Sequence, residues 1–150
     1  MTRDDVLQVL REALASHAMT NRGSVWQHSG PEVHWVLHLD RLPHGNRLAI
    51  DVGAALIDGT GRLPARATDC PLVMHAENMA LGDAPAVMPV VDLDSSLADE
   101  DRRVDLERIA RALGVYVADR GTLDALRRAY RAGELRSAFI DKAVREVLEA

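Results

Sequence analysis

Three side chains of this 150-residue chain combine the types and spacing of a metal site. His34 and His38 share one face of an alternating run, EVHWVLHLD (32–40), and Asp51 stands on a second run, RLAIDVGAAL (47–56). Neutral imidazoles with a carboxylate form a usual coordination shell for zinc and related divalent ions. If the two runs pair with Leu39 opposite Leu48, Val36 faces Asp51. His34 and His38 are then its diagonal neighbours, with Cβ atoms ~7–8 Å apart. The competing reading is the wet face of a half-buried sheet, which commonly carries such residues. The sequence favours it, because no HExxH, no paired Cys and no third His at fixed spacing accompanies the three. His28 or His75 joins them only if their strands are adjacent.

Cys70, the single cysteine, has no His or Asp at a spacing that defines a nucleophile, and it reads as a small buried apolar residue. GxSxG, GxxxxGK[ST] and GxGxxG are all missing, and DGTG (58–61) lacks the lysine and helix of a phosphate loop. The segment DLDSSLADED (92–101) is the stronger functional signal. It sets Asp92, Asp94, Asp99, Glu100 and Asp101 within ten residues at the start of a helix, where the macrodipole favours acids. Residues 83–105 carry two basic and seven acidic groups, which matches the whole chain's net charge of −5. An acidic patch of this kind would steer a basic partner. The plainer reading is a solvated helix start.

The elements that must position these groups follow from periodicity. Residues 3–18 alternate as an amphipathic helix behind a Thr2 cap, with Asn21, Arg22 and Gly23 as its stop. SVWQHS (24–29), 32–40, 47–56 and CPLVMHAEN (70–78) read as about four strands, the middle two a hairpin across LPHGN. Trp35, Leu37, Leu39, Leu48, Ile50 and Val52 share its buried face, and Trp26 is also read as core. Residues 79–96 read as irregular, with an extended piece at 87–91. Ser95 or Ser96 caps a helix from Leu97 to about Leu113, with Val104 in its apolar stripe and Gly114 as its end. GVYVA (114–118) reads as extended. Thr122 caps a helix over 123–132, Gly133 breaks it, and 134–150 forms the last helix. The order predicts one α+β domain over residues 1–150: an N-terminal helix, an antiparallel sheet of about four strands, and C-terminal helices.

The run LREALASHAMTNRGSVWQH through VHWVLHLDRLPHGNRLAIDVGAAL resembles the bacterial family known as domain of unknown function 4304. The resemblance implies a first helix followed by a basic, Gly and aromatic segment, here Asn21-Arg22-Gly23-Ser24 and Trp26. A strand closing on Gly, here Ile50-Asp51-Val52-Gly53, and an Asp-Cys pair, here Asp69-Cys70, come next, before a helical C-terminal part. This chain has DRLPHG (40–45) where the family has a Gln-rich strand end. The family brings no assigned activity and no catalytic residue.

Composition bounds the rest. The chain is 47% hydrophobic and 27% charged, the balance of an ordinary globular domain. Eighteen basic against 23 acidic residues speaks against a nucleic-acid binder. The lone cysteine speaks against a disulfide scaffold. No apolar run reaches the ~20 residues that cross a bilayer. The first residues carry no signal-peptide pattern, so a cytoplasmic location is expected. These features point to a protein-binding module, such as an immunity- or antitoxin-type partner of a basic protein. The alternatives are a metal-dependent enzyme on the His34/His38/Asp51 face and a chaperone or adaptor for a secreted protein. No cofactor is expected, and the oligomeric state is left open.

Overall fold

Thr2 sets the start of the first helix. Its hydroxyl accepts from the Asp5 amide at 3.3 Å, and the Asp5 carboxylate accepts from the Thr2 amide at 2.8 Å. This reciprocal box satisfies two amides that the helix leaves open. The computed structural model, which describes residues 1–59 and 61–150, runs this helix, α1, over Arg3–Leu14. The helix is shorter than periodicity suggests. A 3-10 turn, Ala15–His17, tightens the chain, and Ala18 ends it in the left-handed region at φ 54°.

Six strands follow the chain order across one antiparallel sheet: β1 Thr20–Arg22, β2 Val25–Ser29, β3 Val33–Arg41, β4 Leu48–Leu56, β5 Leu72–His75 and β6 Phe139–Ile140. Four were expected. The two additions span three and two residues, too few for an alternating pattern to show in the sequence. Asn21 and Arg22 lie in β1, with only Gly23 and Ser24 turning between it and β2.

The β3–β4 hairpin forms, but two residues out of the expected register. Leu39 pairs with Ile50, Leu37 with Val52 and Trp35 with Ala54. A slip of two keeps every side chain on its own face, so matching apolar faces cannot tell the two registers apart. The 42–47 loop decides it, closed by the Leu42 amide on the Arg47 carbonyl at 3.0 Å.

Four further helices complete the fold: α2 Val87–Val91, α3 Asp99–Asp119, α4 Leu123–Arg131 and α5 Lys142–Glu149. Residues 87–91 are helical rather than extended. Val87, Val90 and Val91 are buried at helical spacing, and Pro89 sits in the first turn, where no amide is needed. Ala98, not a serine, precedes α3, and Ser95 donates instead to the Pro89 carbonyl at 2.7 Å. Gly114 lies inside α3 and does not end it. A side chain there would meet the His17 ring at 2.5 Å, so this glycine serves close packing of the turn after α1. GVYVA thus continues the helix and buries Tyr116 and Val117. Thr122 caps α4 through the Ala125 amide at 3.1 Å, as expected. The expected helix over 134–150 is only α5. Gly133 turns the chain at φ 81°, Phe139 and Ile140 join β5, and Asp141 then caps α5.

One core fills the space between the helices and one sheet face. Trp26, Trp35, Leu37, Leu39, Ile50 and Val52 meet Leu10 and Leu14 of α1 and Leu106, Ile109 and Leu113 of α3. Both tryptophans are buried. The Trp35 indole donates to the Arg120 carbonyl at 2.8 Å, and its ring meets Tyr116 edge-on at 5.9 Å. These contacts tie the end of α3 to the middle of the sheet. Val104, expected in the core, is 49% exposed on the outer side of α3.

Candidate functional site

The face of the sheet away from α1 and α3 carries its chemistry in rows, because residues paired across antiparallel strands share a face. One row runs Arg22, Val25, His38, Asp51, His75 across five strands. The next runs Gln27, Val36, Gly53, Val73. His34 lies in a third row, opposite Ala55 and Ser29.

The observed register therefore separates the three expected metal ligands. His38 stands directly opposite Asp51, whereas His34 is removed from it and bonds through Nδ1 to the Ser29 hydroxyl at 2.7 Å. Burial holds the His34 imidazole below its usual pKa, outweighing the Pro64 backbone, which pulls the other way. The grouping that forms is His38, Asp40 and Asp51, whose ligand atoms all lie within 4.8 Å of one another. Sequence reasoning missed Asp40, although it alternates in phase with His34 and His38. His75 Nδ1 lies 2.7 Å from Asp51 Oδ1, so the strand adjacency that His75 required is met.

Beside this row the 66–70 segment lies flat on the sheet. Val36, Ala67 and Cys70 form a small second core there, over Gly53. Burial pushes the Cys70 thiol up to about 12, with the Asp69 charge adding to it. Such a group is a packing residue and not a nucleophile.

The acidic segment takes a more defined shape than a solvated loop. Asp94, Asp99, Glu100 and Asp101 are exposed and Asp92 is half-buried. Asp99 accepts from the Met1 ammonium at 3.1 Å, and Asp92 accepts from the Asp94 amide at 3.1 Å. Beneath them is Arg102, only 2% exposed. Its Nη1 donates to the carbonyls of Pro89, Val90 and Asp92 at 2.7–3.0 Å. Its Nη2 donates to the Ser95 hydroxyl and the Leu97 carbonyl at 3.1 and 3.3 Å. No carboxylate pairs with this guanidinium among the described residues. The signal for it was available, since Arg102 occupies the same helical stripe as Leu106, Ile109 and Leu113.

A groove of about 470 Å³ runs between residues 80–84 and the outer side of α3, lined by Arg108, Arg111, Val115, Tyr116 and Arg120. Within it Arg108 donates to the Asp83 carbonyl at 2.9 Å. Arg120 lies 3.6 Å over the Tyr116 ring and bonds Glu134 at 2.6 Å, so its charge is already committed.

Among the described residues no helix is long and apolar enough to cross a membrane. No family model, curated protein or solved structure matches the chain.

Proposed function

We propose that this chain is a protein-binding module that docks a basic partner through the start of α3. The observation that carries the reading is the clamp of Arg102 on five acceptors between residues 89 and 97. A buried cation without a carboxylate is expensive to hold. Here it fixes the 89–97 backbone, which presents Asp92 and Asp94, against the first turn of α3, which presents Asp99, Glu100 and Asp101. A pre-shaped loop loses little entropy when a partner arrives, and its acids add long-range attraction. Val104, one turn along α3 from Asp101, adds a half-exposed apolar contact beside the charges. A hydrophobic contact ringed by polar groups is the usual anatomy of a protein interface.

An immunity- or antitoxin-type partner of a basic enzyme fits this surface, and so does an adaptor for a basic secreted protein. The bacterial family resemblance is compatible with either and assigns no chemistry. The test is capture from the native lysate by wild type and by the variant carrying Asp92→Asn, Asp94→Asn, Asp99→Asn and Asp101→Asn. The captured protein is then titrated with salt. The reading expects a basic protein whose association slows and whose salt dependence flattens in the variant. Equal capture with an equal salt slope would leave the segment as an ordinary helix start.

A further inference from the structure

We propose that His38, Asp40 and Asp51 bind one divalent transition-metal ion, zinc first, on the sheet face opposite α3, with His75 holding Asp51 in position. Three independent features of the strands converge on this point. The ligand atoms of the three residues already lie within 4.8 Å of one another. Zinc bonds of ~2.0–2.2 Å put tetrahedral ligands ~3.4 Å apart. The remaining gap is at most about 1.4 Å, and Asp40 is exposed and His38 half-buried, so rotamer changes on the surface can close it.

Asp51 is the fixed member. It is only 5% exposed, at the centre of the sheet, and a carboxylate there needs a compensating charge or donor. No arginine or lysine pairs with it among the described residues. His75 supplies one hydrogen bond, to Oδ1 at 2.7 Å, which leaves Oδ2 for a cation. Such a donor to a ligating carboxylate orients it and tunes its basicity. The third feature is His38, whose ring makes no hydrogen bond to any described residue and whose Nδ1 is buried without a partner. A ring left uncommitted next to two carboxylates matches an imidazole ligand.

The imidazole in the set favours a transition metal such as zinc over magnesium, which keeps its waters and takes oxygen ligands. Three protein ligands leave open positions facing solvent. The site lies on the other side of the sheet from the acidic start of α3, so neither depends on the other.

Calorimetric titration of the purified chain with Zn²⁺ in a large excess of Mg²⁺ tests the proposal. One ion per chain is expected, with affinity reduced at least tenfold in Asp40→Asn and in His38→Gln. His75→Ala is expected to weaken binding by ~10–100-fold as an orienting residue. His34→Gln, four residues along β3 from His38, leaves affinity unchanged. Asp40 is exposed, so Asp40→Asn keeps the fold, which thermal unfolding without metal verifies. Absence of saturable binding, displacement of Zn²⁺ by Mg²⁺, or affinity unchanged in both Asp40→Asn and His38→Gln would overturn it.

Discussion

Gly53 and Cys70 approach so closely that a methyl group on Gly53 would lie 2.6 Å from the cysteine sulfur and 2.6 Å from the Ala67 carbonyl. One contact is with backbone, and β4 is held on both sides by neighbouring strands, so neither partner can move freely. Gly53→Ala is expected to cost about 1–3 kcal/mol by overpacking. Urea unfolding measures it. A variant as stable as wild type would mean that the 66–70 segment lifts off the sheet without loss.

Arg102→Ala should be among the most damaging single changes. It removes five hydrogen bonds from a charged donor and leaves carbonyl oxygens buried. A loss of about 3 kcal/mol or more is expected. Arg102→Lys rescues little, because an ammonium cannot reproduce the planar fork. Amide exchange provides the second readout, with protection falling first across residues 92–98.

The Cys70 thiol stays protonated at ordinary pH because burial pushes it up to about 12. Ellman's reagent at pH 8 is therefore expected to label the native protein only slowly and the denatured protein completely. Rapid native labelling would show that the segment over Gly53 opens readily.

Burial lowers the pKa of His34 below the usual 6.5 of an imidazole. The unfolded chain then takes up a proton, as pH falls through that value, that the folded chain resists. Stability is full above about pH 6.5 and declines below it, down to the folded pKa. Urea midpoints between pH 8 and 5 should fall for wild type and fall less for His34→Gln. Parallel curves would assign the acid sensitivity to other groups.

How far residue patterns carried the reading depends on what each pattern encodes. The faces of β3 and β4 were legible, since period two puts Trp35, Leu37 and Leu39 on one side and His34, His38 and Asp40 on the other. Their register was not, because a two-residue slip preserves both faces. That slip decided which histidine meets Asp51. The helix over 99–119 runs past Gly114, which its residue type marks as a stop, because the glycine answers to His17, nearly a hundred residues away in the chain. Phe139 and Ile140 looked helical because two residues are too few to show any period. Arg102 was visible as a charge in an apolar stripe, but its acceptors are backbone carbonyls, which leave no trace in residue types.

The order of the sheet bears on how the chain reaches this state. Strands β1 to β4 are joined by connections of two to six residues, so they can zip up one hairpin after another with little loop entropy to overcome, and β5 adds beside β4 after a longer connection. The chain then leaves the sheet at His75 and returns only at Phe139, after three helices. Until it returns, the outer edge of Leu72–His75 presents open amides and carbonyls, a template for pairing with a second molecule. The last two-residue strand, extended by the Asp141 amide on the Pro71 carbonyl at 2.7 Å, covers Leu72 and Val73 of that edge. Short as it is, it halves the stretch of β5 left open on that side, and with it the template offered to a second molecule.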